Sequence, residues 1–238
     1  MSILNDPALE QLLADLHGRS DAQIPEMTAF HDRHNTYAHN TYAQNTSAQP
    51  PGESAALLRT FRSDKLVALD RDKAEFCYLL CRAGNARRIV EAGTSYGVST
   101  LYLAAAVRDN IRAAGGMGVV IGTEYEPGKA RAARAHFAQA GLEALIDLRE
   151  GDLRQTLQRI EGPVDFLLCD IWVPMARPAL ELVAPHLRPG AIVVCDNTRD
   201  HRAAYADYFA FLDDPANGFR TMTLPFSGGL EVAVRCAV

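Results

Sequence analysis

The chain lacks the features that mark membrane, secreted and nucleic-acid-binding proteins. No apolar run approaches the ~18 residues of a membrane span, and the first six residues do not resemble a signal peptide. Basic residues never cluster beyond a pair such as Arg87-Arg88, and the net charge is -5, which disfavours a nucleic-acid partner. The five cysteines are an odd number without framework spacing, which argues against a disulfide scaffold. These absences predict a cytoplasmic protein without a membrane or nucleic-acid partner.

The chain is long and apolar enough for one core with a terminal extension. It has 238 residues, of which 48% are hydrophobic. In residues 7–16 the leucines recur at helical spacing and form a stripe on one face of the predicted helix. This leucine stripe predicts that the helix packs on the main domain. The stripe consists of Leu9, Leu12, Leu13 and Leu16. We divide the chain into residues 1–60, an N-terminal helix and polar lid or extension, and residues 61–238, the main domain.

Residues 26–54 differ from the rest in composition. They are rich in Asn, Thr and other polar residues, and a degenerate five-residue repeat covers residues 36–50. Such composition predicts a loop, a lid or weak order. Three of the seven histidines lie in or beside this stretch: His31, His34 and His39. A metal or catalytic role is open for them, although a solvated loop is favoured.

From residue 70 onward, strand patterns and helix patterns alternate. The predicted strands cover residues 89–92, 119–123, 146–149, 164–169, 191–195, 220–224 and 230–234. The predicted helices cover residues 70–83, 99–112, 127–140, 178–186 and 202–212, with a short one from residue 153. This alternation predicts an α/β fold, a doubly wound and mostly parallel sheet with helices on both faces. The last two strands form a hairpin, which predicts one antiparallel strand at an edge.

The segment 88–99 contains the most informative motif. An apolar strand runs into a turn with glycines at Gly93 and Gly97, and a helix follows from Ser99. Glycines let the backbone approach a ligand, and the helix directs free N–H groups to the same place. The pattern therefore predicts a nucleotide-cofactor crevice at the end of the first strand. The glycine spacing differs from that of dinucleotide binders, and the carboxylate of Glu91 suits a cationic or hydroxyl-rich ligand.

Acidic residues end every strand of the parallel core. They are Glu91, Glu124, Asp152, Asp170 and Asp196, the last followed by Asn197. Because the carboxyl ends of parallel strands meet at one edge, this set predicts a site. Glu124 is placed to accept hydrogen bonds from ribose hydroxyls, and Asp152 from the exocyclic amine of adenine. Ser99 could cap its helix and bind a ligand carboxylate.

The oxygen-rich end of the fourth and fifth strands predicts a metal site. Asp170, Asp196 and Asn197 supply the hard oxygen ligands that Mg²⁺ prefers. The alternative for Asp196-Asn197 is a turn pair at a strand end.

These motifs together resemble class I S-adenosylmethionine-dependent O-methyltransferases of the metal-dependent catechol and caffeoyl-CoA type. The resemblance covers residues 60–238 and rests on segments 90–99, 122–127, 150–152, 165–172, 187–197 and 228–232. It implies a Rossmann-like seven-stranded sheet in the order 3-2-1-4-5-7-6. It also implies S-adenosylmethionine as cofactor, a divalent metal, a small phenolic acceptor and a homodimer. The implied cofactor-binding residues are Glu91, Gly93, Thr94, Ser99, Glu124, Gly151, Asp152 and Asp170, and the implied metal ligands are Asp170, Asp196 and Asn197.

One position departs from the family pattern. The catechol enzymes carry a lysine that takes the proton from the attacking hydroxyl, and this chain has Val173 there. A metal at Asp170 could lower the hydroxyl pKa instead, and His201 is a candidate base, although a surface histidine at a helix start is favoured. Two alternatives remain: a metal-independent N- or O-methyltransferase, and a protein that binds S-adenosylmethionine without catalysis.

Overall fold

A computed structural model describes residues 3–34 and 52–237, without the side chains of residues 34 and 52–55. The strands are β1 (Arg88–Ala92), β2 (Val119–Glu124), β3 (Ile146–Glu150), β4 (Val164–Cys169), β5 (Leu187–Asp196), β6 (Phe219–Leu224) and β7 (Leu230–Arg235). The helices in the described ranges are α1 (Pro7–Asp21), α2 (Ile24–His34), α3 (Gly52–Arg62), α4 (Arg71–Ala83), α5 (Val98–Ala114), α6 (Pro127–Gln139), α7 (Leu153–Thr156), α8 (Val173–Val183) and α9 (Ala206–Asp213).

The sheet confirms the predicted fold. Its order is β3-β2-β1-β4-β5-β7-β6, with β1 to β5 parallel. One detail of the prediction was wrong, because the antiparallel strand does not lie at the edge. The chain crosses from α9 to the outer position, where β6 runs parallel to β5, and then turns back so that β7 inserts between them. The hairpin of β6 and β7 was predicted correctly. Which of its two strands pairs with β5 depends on tertiary packing.

Two apolar layers cover the sheet. Side chains alternate along each strand, so Ile89 and Phe166 pack under α4, α5 and α6, whereas Val90 and Leu167 pack under α8 and α9. Helix α5 is buried at every residue from 98 to 107, because the sheet lies on one side of it and α1 and α4 on the other. This buried helix begins at the glycine turn and fixes the turn against the core.

The N-terminal region is more helical than its composition predicts. The leucine stripe of α1 is buried against the main core as expected, and the helix continues to Asp21. The prediction of a loop was wrong for residues 26–34, which belong to α2, and for residues 52–54, which begin α3. The buried side chain of Met27 and the stacking of Phe30 on Phe61 explain why this polar segment is helical. The repeat and His39 lie outside the described residues.

Two further helices begin at other residues than predicted. Helix α8 begins at Val173, because Pro174 occupies its first turn, where no N–H is needed, and Pro178 lies inside it. Helix α9 begins at Ala206, since turns closed by hydrogen bonds to the His201 carbonyl precede it. No helix in the described ranges combines the length and the apolar character needed to cross a membrane.

Candidate active site

The glycine turn after β1 lies directly against the end of β4. Gly93 has φ +100°, and a Cβ atom there would overlap the backbone carbonyl oxygen of Asp170. The Asp170 N–H donates to the Ala92 carbonyl at 3.1 Å. Only glycine satisfies both the left-handed backbone and this close approach. The predicted cofactor turn and the predicted metal ligand Asp170 are therefore in backbone contact.

Glu91 is fully buried and accepts hydrogen bonds from three hydroxyl groups. Ser99 donates to it at 2.6 Å and Thr94 at 2.9 Å, and Thr100 also donates. Burial raises the pKa of Glu91, and the three hydroxyl donors oppose that shift. The carboxylate thus orders the turn and the first residues of α5, and it reaches a cofactor only through these groups. The proposed capping role of Ser99 was wrong, because Gly97 is the cap residue of α5 and the Ser99 hydroxyl is directed at Glu91.

Glu124 ends β2 beside the glycine turn. Its carboxylate accepts from the N–H of Ser95 at 2.7 Å and from the N–H of Glu126 at 2.7 Å. Each oxygen therefore keeps lone pairs for further donors, such as two ribose hydroxyls. Glu124 lies at the end of β2 as expected, and its role at a ribose remains a prediction.

Gly151 and Asp152 form the turn after β3. The Gly151 N–H donates to the Glu124 carbonyl at 2.8 Å, so the turn is attached to the neighbouring strand. Asp152 caps α7 and pairs with Arg154, and the hydrogen bonds from Arg154 lower its pKa. An adenine amine would thus share this carboxylate with Arg154.

A cleft with about 220 Å³ of open space lies between residues 66–69 and residues 93–99, and Asp170 also lines it. Hydrogen bonds fix the outer wall. The Leu66 N–H donates to Gln23 and the Ala68 N–H to Ser20, each at 3.1 Å. The Tyr96 hydroxyl donates to the Asp64 carbonyl at 2.7 Å and ties the glycine turn to this wall. That this cleft takes the methionine end of the cofactor remains a prediction.

Asp170 carries a carboxylate that receives no hydrogen bond or ion pair from the described part of the chain. Burial and the negative charge of Asp196 raise its pKa to about 8. A carboxylate in such surroundings gains free energy from a cation or a proton.

Lys73 contacts the candidate metal ligand Asp196, and the sequence interpretation missed it. Its ammonium group lies 2.7 Å from Asp196 and 2.9 Å from Asp70, and only 2% of its side chain is exposed. Burial lowers the pKa of Lys73, but the two carboxylates outweigh burial, so the pKa is raised and the group stays charged. A sequence signal existed, because Lys73 shares the buried face of α4 with Cys77 and Cys81 at intervals of four residues. A lysine on an apolar helix face indicates a buried acidic partner.

Asp196 and Asn197 adjoin this lysine. One Asp196 oxygen accepts from Lys73 and from the Asn197 N–H at 2.8 Å, and the other accepts from the Asn197 amide at 3.0 Å. Burial raises the pKa of Asp196 to about 6, and Lys73 limits that shift.

The residues at the ends of β4 and β5 are chemically suited to a divalent cation. Asp170 lacks a partner within the described residues, and Asp196 keeps lone pairs on the oxygen that faces Asn197. An Asn197 ligand would have to turn its amide oxygen toward the ion. In residues 3–34 and 52–237, no group of three His, Cys, Asp or Glu side chains could hold a metal, so the predicted set depends on this amide.

His201 and Trp172 flank the acidic residues. His201 is 7% exposed, and burial lowers its pKa to about 4, so it is neutral at pH 7 and a weak proton acceptor. Its role as base remains a prediction. Trp172 is 39% exposed, and the Arg62 guanidinium lies 5.5 Å from the centre of its ring.

Of the N-terminal histidines, His31 is buried beside Arg62, and the His34 side chain lies outside the described residues.

The Lys73–Asp196 pair should contribute measurably to stability. We expect Lys73→Met to lower the free energy of unfolding by ~3 kcal/mol, because it leaves the Asp196 carboxylate buried without a cation. Urea denaturation of the cofactor-free protein measures this. The double variant Lys73→Met/Asp196→Asn should regain most of the loss. Asp70→Asn is the control, and because Asp70 is half exposed it should cost less than ~1 kcal/mol. Equal losses in the single and double variants would contradict the pairing.

The sheet order is that of the Rossmann-like methyltransferase fold, and the glycine turn and the acidic end of β2 lie at the carboxyl ends of its strands. Residues 90–198 match the family model described as a methyltransferase domain. A catechol O-methyltransferase of Mycobacterium tuberculosis (strain H37Rv) is 32% identical over 132 residues, which are 55% of this chain and 57% of that protein. The resemblance to the catechol and caffeoyl-CoA type is thereby confirmed.

Solved structures share the fold at lower identity. The cofactor-bound Rv0187 from MTB has a TM-score of 0.63 and 24% identity, over 80% of this chain and 92% of that one. An O-methyltransferase from Bacillus cereus in complex with SAH has a TM-score of 0.62 and 19% identity, over 89% and 99% of the two chains. The match to the curated Mycobacterium tuberculosis enzyme spans just over half of that protein's length, at 57%.

Proposed function

We propose that this protein transfers the methyl group of S-adenosylmethionine to a hydroxyl of a small aromatic molecule, assisted by a divalent cation such as Mg²⁺. The observation that carries the proposal is the backbone contact between Gly93 and Asp170, because it joins a cofactor turn to an unpartnered acidic group. A methyl donor and an acceptor hydroxyl must lie in line, and these two elements border one cleft.

The residues of the chain bind and orient the donor. The hydroxyls and N–H groups of the glycine turn surround the methionine end, Glu124 accepts the ribose hydroxyls and Asp152 borders the adenine. S-adenosylmethionine supplies a methyl group on a sulfonium, so its displacement leaves neutral S-adenosylhomocysteine. The wall at residues 66–69 and the helices of residues 1–60, acting as a lid, exclude water from the cleft.

Asp170, Asp196 and Asn197 would hold the divalent cation. The cation supplies Lewis acidity, which favours ionisation of the acceptor hydroxyl at neutral pH. Val173 occupies the family's lysine position and His201 is a weak base, so the cation would lower the pKa of the hydroxyl and the released proton would pass to water. Trp172 provides an aromatic wall for a phenolic ring.

A second candidate is metal-independent methyl transfer to a hydroxyl or nitrogen. It is favoured by the Lys73–Asp196 contact of 2.7 Å, since an ammonium group already neutralises one of the two carboxylates.

Chelation distinguishes these candidates. We expect transfer of labelled methyl groups from S-adenosylmethionine to a catechol panel with Mg²⁺, and a rate at least ~100-fold lower with EDTA. Calorimetric titration with Mg²⁺ alone should show binding that Asp196→Asn abolishes. Full activity in EDTA would select the metal-independent candidate. Cofactor binding without turnover of any acceptor would favour a protein that only binds.

A homodimer and a cytoplasmic location are further proposals, which sedimentation velocity and cell fractionation would test.

A further inference from the structure

The candidate metal site has a fixed positive charge of its own. The Lys73 ammonium group lies 2.7 Å from Asp196 and 2.9 Å from Asp70, and only 2% of the lysine side chain is exposed. Burial and Asp196 raise the pKa of Asp170, and Lys73 opposes them, which places the ammonium group near both acidic residues of the site. Lys73 therefore acts on any ion that these two carboxylates bind.

The position of Lys73 does not depend on whether an ion is bound. Lys73 lies in the first turn of α4, on the face that Ala74 and Cys77 bury in the core. Asp70, the residue before the helix, contacts the ammonium group in addition to Asp196. Movement away from both carboxylates would leave a buried charge without a partner, which is strongly unfavourable. We therefore treat Lys73 as a permanent part of the site.

The hydrogen bonds of Asp196 leave little room for coordination. A carboxylate has about four lone pairs, two on each oxygen. Oδ1 accepts from the Lys73 ammonium group at 2.7 Å and from the Asn197 N–H at 2.8 Å, so both of its lone pairs are used. Oδ2 accepts from the Asn197 side-chain amide at 3.0 Å and keeps one lone pair. Asp196 can thus bind a cation through Oδ2, whereas bidentate binding would need Oδ1 as well.

The number of oxygens that a carboxylate offers determines which ion suits a site. Ca²⁺ takes roughly six to eight oxygen ligands at about 2.3–2.6 Å and often binds carboxylates through both oxygens. Mg²⁺ takes about six ligands at roughly 2.0–2.1 Å, keeps several waters and needs only one or two carboxylates. A carboxylate with one usable oxygen therefore disfavours the larger ion more than the smaller one.

From these contacts we propose that Lys73 is a positioning residue that selects Mg²⁺ over Ca²⁺. It occupies Oδ1 of Asp196, so that this carboxylate serves the ion through a single oxygen. The positive charge of Lys73 also weakens the binding of either ion, because it cancels one of the two carboxylate charges. The inference rests on the proposed function, because the cation comes from it. The selection of the ion by Lys73 is the new element.

Calorimetric titration with Mg²⁺ alone and with Ca²⁺ alone tests the inference, on the full chain with excess S-adenosylhomocysteine. We expect wild-type protein to bind Mg²⁺ at least ~10-fold more tightly than Ca²⁺. Lys73→Met should bind both ions more tightly, because a repelling charge is removed. The gain should be larger for Ca²⁺, so that the preference falls below ~3-fold. A purely structural effect would weaken both ions alike and leave their ratio unchanged.

Asp70→Asn is the control, since Asp70 contacts the same ammonium group from a half-exposed position and is not a candidate ligand. It should keep the wild-type ratio of the two affinities. If Lys73→Met does not fold, Lys73→Gln, which is uncharged and one atom shorter, should shift the ratio in the same direction.

The possible results separate this inference from the proposed function. Equal affinities for Mg²⁺ and Ca²⁺ in wild-type protein, or an unchanged ratio in the Lys73 variants, would overturn the inference and leave the proposed cation in place. Binding of neither ion by wild-type protein would overturn the inference together with the proposed cation. Methyl transfer in EDTA would then identify the metal-independent candidate.

Discussion

Asp170→Asn is expected to abolish methyl transfer and to stabilise the cofactor-free protein. Activity should fall more than ~100-fold, because the variant removes the charge that would face both the proposed cofactor and the proposed cation. Stability should rise by ~2 kcal/mol at pH 8 in EDTA, because the unfolded wild-type chain has Asp170 fully ionised there, whereas burial and Asp196 oppose its ionisation in the folded protein. Urea denaturation and a radiolabel assay measure the two effects.

The sign of the pH dependence follows from the direction of the pKa shift. The pKa of Asp170 is raised from 3.8 to about 8, so the protonated form fits the fold and wild type loses stability as pH rises from ~4 to ~8. The variant lacks this contribution, and its advantage should therefore grow over that range. Glu161→Gln, on the exposed turn before β4, is the control and should change neither quantity. A less stable Asp170→Asn protein at pH 8 would contradict the unpartnered state of this carboxylate.

Gly93→Ala should have the second large effect. A Cβ at this position overlaps the Asp170 carbonyl oxygen, and the residue has φ +100°, so either the turn or β4 must move. We expect the free energy of unfolding to fall by ~3 kcal/mol and the affinity for S-adenosylhomocysteine to fall by at least ~10-fold. Denaturation and calorimetry measure the two losses.

Gly128→Ala is a matched comparison at a glycine outside the cleft lining. Gly128 lies in the first turn of α6, and a Cβ there meets nothing within 4 Å. The substitution should be neutral or should stabilise the protein by up to ~1 kcal/mol. Similar losses in the two variants would mean that the close contact with Asp170 does not set the requirement for glycine at residue 93.

Local signals in the sequence were sufficient to predict the strands of the sheet and the positions of the acidic residues at their ends. Strand β4 was predicted at residues 164–169 and occurs there, because an apolar run bounded by polar residues is characteristic of a buried parallel strand. Since strand ends follow from such runs, Glu124, Asp170 and Asp196 were expected at one edge, and they are found at the ends of β2, β4 and β5.

The remaining features depend on contacts between distant parts of the chain. Lys73 and Asp196 are 123 residues apart, and no local pattern pairs them. The helical state of residues 26–34 depends on tertiary burial of Met27 and on the contact of Phe30 with Phe61, which overrides polar composition. Likewise, the three hydroxyl groups around Glu91 were individually visible, but their convergence on one carboxylate follows from the path of the turn.

The inserted position of β7 has a consequence for synthesis of the chain on the ribosome. The turn before β7 supports the loop after Asn197, since the Gly228 carbonyl accepts from Arg199 at 3.0 Å and from Asp200 at 3.1 Å. The glycine turn, Glu124 and Asp170 all precede β5 in the chain. A nascent chain therefore emerges with every strand of the cofactor cleft before the acceptor side gains its support. Emergence of β7, rather than closure of the cleft, should be the event that completes the site.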